Sequence, residues 1–155
     1  MKAKIASLSL LLITSGLYAT ELRNGDFERG SSGWRGDNKV VYETDEKLNK
    51  VCRMEADSDD QIFYQEIKTK KAKDLKLKFK VKKSIDYEGR GFSIRFVRDN
   101  GSYTFFDSSA DSTEWKEKTI NFSDINGSRS IKISVLARSA DEGYLDFDDF
   151  VLTLE

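Results

Sequence analysis

Histidine is absent from this 155-residue chain, and Cys52 is its only cysteine. The first absence removes most Ser-His and Cys-His nucleophile arrangements, along with the usual imidazole-based transition-metal sites. The second excludes an intrachain disulfide. Cys52 itself sits in an apolar alternation, which reads as a buried, inert thiol. The chain also lacks charge of one sign, since 26 Lys and Arg face 27 Asp and Glu. Such a balance leaves no electrostatic case for nucleic acid as a partner. Tryptophan occurs only twice, as Trp34 and Trp115. No long segment keeps the 3.6-residue apolar period of a helix.

One apolar run does stand out, at the N-terminus. Lys2 and Lys4 precede Ile5 to Ile13, and Ser15, Gly16 and Ala19 supply small residues for a cleavage region. These are the three parts of a secretory signal peptide over residues 1–19, cut before Thr20. The run is shorter than the roughly 18 residues that span a bilayer, so membrane insertion is not expected. The expected location is secreted or periplasmic. Residues 20–155 then form one domain with a core of its own.

The rest reads as strands. Leu75 to Lys82 alternates without a break, one face apolar and one face lysine; the lysine row reads as a solvated outer face that discourages edge aggregation. Gly91 to Arg98 sends Phe92, Ile94 and Phe96 to one face and Ser93, Arg95 and Val97 to the other. Ile131, Ile133, Val135 and Ala137 repeat the pattern. Shorter runs lie at Val40–Glu43, Val51–Ala56, Ile62–Lys68, Tyr103–Asp107, Trp115–Phe122 and Tyr144–Leu154, with turn clusters such as Asp99-Asn100-Gly101 between them. Nine or ten strands, each apolar on one face, need a second sheet to cover that face. The expected fold is all-β, a sandwich of two antiparallel sheets.

Two terminal motifs carry a resemblance. The opening "NGDFERGSSGW" (24–34) and the closing "GYLDFDDFVL" (143–152) resemble the two ends of carbohydrate-binding modules of the family 4, 9 and 22 type, which are galactose-binding-domain-like jelly rolls. Between them "NKVCRMEA", "IFYQEIKTKKAKDLKLKFKVKKS" and "STEWKEKTINF" follow in the family's order, so the resemblance covers Leu22 to Leu154. It implies a jelly roll and a polysaccharide or glycan ligand. The missing acid–base constellation argues against catalysis, and a monomer is expected. Trp34 and Trp115 match positions that are largely structural in the family, leaving no third tryptophan as a sugar platform.

The resemblance also implies where a site would lie. The strands at Gln61–Lys68, Gly91–Arg98, Ser102–Asp107 and Ser130–Arg138 would share the sheet whose outer face forms the family's concave cleft. Its outward positions would include Tyr64, Glu66, Arg95, Lys132 and Ser134, with either Tyr103 and Phe105 or Thr104 and Phe106. Sugar binding needs flat apolar faces beside fixed polar groups, which Tyr64, Arg95, Tyr103 and Phe105 supply. Arg138, Tyr42 and Tyr87 are further candidates. The family often carries a structural Ca²⁺ where its ends meet; Asp26 and Asp148 match best, with Asn49 as a backbone contributor. Hard oxygens suit that ion, although the same acids are equally suited to capping turns or pairing with Arg23 or Arg29. For an enzyme, Glu66 near Arg95 is the one ionisable pair expected in the cleft. The competing non-enzymatic reading is an extracellular protein-interaction or surface-matrix module with no sugar site.

Overall fold

The computed structural model describes residues 18–19, 22–37, 40–45, 47–69, 72–125 and 127–155. Among them are eleven strands: β1 (Tyr18–Ala19), β2 (Arg35–Gly36), β3 (Val40–Thr44), β4 (Lys50–Glu55), β5 (Gln61–Lys68), β6 (Leu75–Lys83), β7 (Phe92–Arg98), β8 (Tyr103–Ser108), β9 (Lys116–Phe122), β10 (Ser130–Ala137) and β11 (Tyr144–Leu154). The first sheet runs β3-β4-β11-β6-β9, with β1 paired to the end of β11; the second runs β2-β5-β10-β7-β8. Every pairing is antiparallel. The architecture is the expected jelly-roll sandwich, and the four strands assigned to one sheet do share it. The leader expected over 1–19 lies outside the described residues except for Tyr18 and Ala19, which pair with Leu154 and Thr153.

Period-two alternation builds the core. Leu75, Leu77, Phe79 and Val81 of β6 face Phe92, Ile94 and Phe96 of β7 and Ile131, Ile133 and Val135 of β10, all of them buried. Phenylalanines fill the space between the sheets, with Phe79 stacked on Phe150 at 5.0 Å and Phe96 on Phe122 at 4.8 Å. Phe147 and Phe150 both point inward although they are three residues apart, because β11 changes register between Asp148 and Val151. A bulge of this kind, with Asp149 at φ 51°, resets the pleat. Cys52 is fully buried, and burial pushes its thiol well up, as an inert core thiol requires.

The opening motif is the cap on one end of this core. Trp34 is 5% exposed and donates from Nε1 to the Asn24 carbonyl at 2.9 Å. Gln65 of β5 holds the backbone of Arg23 from both sides, accepting its N–H and donating to its carbonyl. Gly25 lies directly against β11, its carbonyl accepting the Phe150 N–H at 2.9 Å.

The lysine row departs from expectation. It faces outward, yet most of it is paired rather than merely solvated: Lys78 meets Glu117 at 3.4 Å and Lys80 meets Asp149 at 2.7 Å. Lys82 is 6% exposed and lies 3.8 Å from Asp146. Asp146, fully buried on that outer face, also takes a two-pronged hydrogen bond from Arg53 at 2.7 and 2.9 Å. That bond is the first reason the Arg53 guanidinium holds its proton more tightly than usual. Trp115 belongs to this region and not to the core; it is half-buried, with its ring 5.0 Å from Lys82 Nζ.

Candidate functional site

The strand registers of the second sheet place its outward side chains in straight rows. One row crosses all five strands: Arg35 pairs with Tyr64, Tyr64 with Ser134, Ser134 with Arg95, and Arg95 with Phe105. A flanking row runs Glu66, Lys132, Val97 and Tyr103; on the other side lie Ile62, Leu136, Ser93 and Asp107. The open question about β8 is thereby decided. Tyr103 and Phe105 are outward, 59% and 54% exposed, whereas Phe106 packs against the core. All four expected ligand residues, Tyr64, Arg95, Tyr103 and Phe105, therefore share one face.

Two features of the centre of this face bear on chemistry. The Arg95 guanidinium lies 5.9 Å from the Tyr103 ring centre, and Lys132 Nζ lies 5.2 Å from that of Tyr64. Cations and aromatic faces are thus side by side. In the middle, Ser134 Oγ and Arg95 Nε are buried without a hydrogen-bond partner among the described residues. A buried polar group left alone costs about 1–3 kcal/mol. Glu66 does not engage Arg95; it accepts a hydrogen bond from Ser130 Oγ at 2.6 Å.

One end of the face opens into a depression of ≈ 450 Å³ lined by Asp60, Arg90, Phe92, Asp107, Arg138 and Ser139. Arg138 organises it, reaching Asp60 at 3.3 Å, Asp107 at 3.4 Å and Ser93 Oγ at 3.1 Å, while Ser93 donates to Asp107. Of the further candidates, only Arg138 belongs here. Tyr87 is 5% exposed in the core, and burial raises its pKa. Tyr42 is on β3 of the other sheet, its ring 5.7 Å from that of Phe27. Sequence reasoning missed Asp60 and Asp107. Asp60 sits in a run of turn acids that reads as solvated, and nothing local announces an arginine 78 residues away.

The metal candidates divide. Asp148 is 8% exposed, and burial pushes its carboxyl up to about 7, with the charges of Asp149 and Asp26 adding to the rise. The charge of Asp26 is the smallest of the influences on Asp148, behind burial and the neighbouring Asp149 and Lys80. The oxygens of Asp26 and Asp148 fit a hard cation such as Ca²⁺. The backbone carbonyl of Asn49 already accepts the Asp45 N–H at 2.8 Å, which leaves it one lone pair. Among the described residues no group of three or more carboxylate, thiol or imidazole side chains gathers, so further ligands would be backbone oxygens. Neither Arg23 nor Arg29 ion-pairs with these acids among the described residues; their backbones are held by Gln65 and Asn24.

No protein-family model matches the chain, and no curated protein matches it in sequence. Solved structures do match. A family 61 carbohydrate-binding module in complex with β-1,4-galactotriose has a TM-score of 0.66 at 21% identity, over 88% of this chain and 99% of that one. A family 16 carbohydrate-binding module has a TM-score of 0.67 at 19% identity, over 84% of this chain and 96% of that one. A Stig cyclase from Fischerella sp. TAU, in complex with an indole compound, scores 0.66 at 15% identity over 90% and 98% of the two chains. At such identities the likeness is one of fold. The chain has the galactose-binding-domain-like jelly roll that carbohydrate-binding modules have, and a cyclase uses the same scaffold. Among the described residues no helix is long and apolar enough to cross a membrane.

Proposed function

We propose that this protein binds carbohydrate without modifying it, as a secreted or periplasmic monomer, through the outer face of the β2-β5-β10-β7-β8 sheet. The observation that carries the reading is the juxtaposition on that face of two exposed aromatic rings, Tyr103 and Phe105, with two buried polar atoms, Ser134 Oγ and Arg95 Nε, that have no hydrogen-bond partner among the described residues. A sugar presents a C–H face for the rings and hydroxyls for the orphaned groups. The sugar ligands of structurally similar modules lend the same support. A binding role fits better than catalysis because the acids near the site are committed: Glu66 to Ser130, Asp60 and Asp107 to Arg138. An interaction module would favour a broad apolar patch, whereas the other large exposed apolar side chains, Leu48, Ile85 and Val151, lie off this sheet. Ca²⁺ at Asp26 and Asp148 would tie the two ends of the domain together in place of a disulfide.

A glycan array and affinity electrophoresis with the purified protein test the reading. Retention by at least one polysaccharide is expected, weakened about tenfold or more when Tyr103 and Phe105 are both replaced by alanine. Failure to bind any glycan, with and without Ca²⁺, refutes it in favour of the interaction module.

A further inference from the structure

We infer that the ligand of this face is an acidic glycan whose carboxylate or sulfate groups are held by Arg35, Arg95 and Lys132. The inference rests on the sugar-binding reading and specifies its substrate class.

The argument starts from how the rest of the molecule treats its cations. With 26 basic and 27 acidic residues, partners are plentiful. On the outer face of the first sheet most of them are used: Lys78, Lys80, Lys82 and Arg53 all face a carboxylate within 4.0 Å, and Lys76 at the end of the row does not among the described residues. At the end of the second sheet Arg138 has two. The centre of the second sheet breaks this pattern. Arg35, Arg95 and Lys132 have no carboxylate within ion-pair distance among the described residues. Glu66, in register with Lys132, is the nearest acid by strand position, and it is bound by Ser130.

The residue types sharpen the point. Arginine stays charged at any ordinary pH and offers a planar fork that fits a carboxylate or sulfate with two parallel hydrogen bonds. Arg95 has its Nε buried and unpartnered, so one prong of that fork is already desolvated and awaits an acceptor. A neutral hydroxyl satisfies that hydrogen bond but neutralises none of the three charges. Arg35 and Arg95 share a row and lie three strand spacings apart, about 14 Å at the backbone. They would therefore meet acidic groups on separate sugar units. Tyr64, under Lys132, would supply a flat face between them, and Tyr103, beside Arg95 on β8, one beyond. In a chain that is slightly acidic overall, three cations without an ion-pair partner among the described residues are thus gathered on this face, where they would draw in a polyanion.

The test uses matched polymers in isothermal titration: polygalacturonate against its methyl-esterified form, and a sulfated galactan against its desulfated form, with polyglutamate as a polyanion that has no sugar. The acidic member of at least one pair is expected to bind tenfold or more tighter than its masked partner, and more weakly as salt rises. Arg95→Gln should weaken that binding about tenfold to a hundredfold, and Lys132→Gln provides a second measurement if the first variant melts early. Preference within one pair alone supports the inference and identifies the acid as carboxylate or sulfate. Equal binding to charged and masked partners overturns it while the sugar reading stands. Equal binding to polyglutamate overturns it as polyanion binding without sugar selection. Failure to bind any of the polymers, together with a blank glycan array, overturns both readings.

Discussion

Gly25 is a residue that the opening motif requires for a reason visible only in three dimensions, and Gly25→Ala should show it. A methyl carbon built there falls 2.0 Å from the Phe150 carbonyl oxygen, 3.0 Å from its carbon and 3.2 Å from Leu22 Cδ2. Ordinary carbon–oxygen contacts are about 3.3 Å or more, so the strand and the turn must part by over about 1 Å. The nearest obstacle is backbone in the centre of a packed end and has no rotamer to change. Separation breaks the Phe150 N–H to Gly25 carbonyl bond, worth about 1 kcal/mol. It also loosens the rings of Phe27, Trp34 and Phe150, which lie 5.4 to 5.9 Å apart; forced shifts in a packed core cost about 1–3 kcal/mol. The expected loss is therefore about 2–4 kcal/mol, or roughly 8–16 °C in melting temperature for a domain of this size. Circular dichroism melts and urea midpoints measure it. Gly30→Ala is the control: its φ is +58° but nothing lies within 4 Å of the added methyl, so only backbone strain of about 1–2 kcal/mol applies. A Gly25→Ala variant that melts within about 2 °C of the parent, or no lower than Gly30→Ala, refutes the reasoning.

Asp146→Ala should cost about 2–3 kcal/mol, because it removes the carboxylate shared by the nearly buried Lys82 and by Arg53, which keeps Glu43 at 2.6 Å; a loss below about 1 kcal/mol in urea melts refutes the network. Chelation should lower the melting temperature at about pH 8, and Asp148→Ala should abolish that difference; identical melts with and without EDTA remove the metal. Without calcium the sign follows from Asp148, whose carboxyl is raised from 3.8 to about 7 on folding. Its protonated form favours the fold, so stability should fall as pH climbs through that window, and added Ca²⁺ should counter the fall at its upper end.

The fold was legible because its main signal is local. A period of two is set by the pleat, and Phe92, Ile94, Phe96, Ile131, Ile133 and Val135 declare the inner face of the second sheet without reference to any other strand. The opening motif placed Trp34 inward. The parts of the site that depend on pairing were not legible. On β8 either parity leaves an aromatic outward, Phe105 or Phe106, and only the register Arg95 to Phe105 chooses between them.

By itself, then, the sequence determined the all-β class, the inward and outward residues of the long strands, the burial of Cys52 and the absence of imidazole chemistry. Tertiary structure alone decided that Tyr64, Ser134, Arg95 and Phe105 form one row and that Arg138 gathers Asp60 and Asp107. It also decided that Lys82 and Asp146 are buried together on an outer face, and that three cations on the opposite sheet have no carboxylate within reach among the described residues. The physical reason is range. Alternation is written between neighbours along the chain, whereas a charge finds its partner, or lacks one, across strands that are distant in sequence.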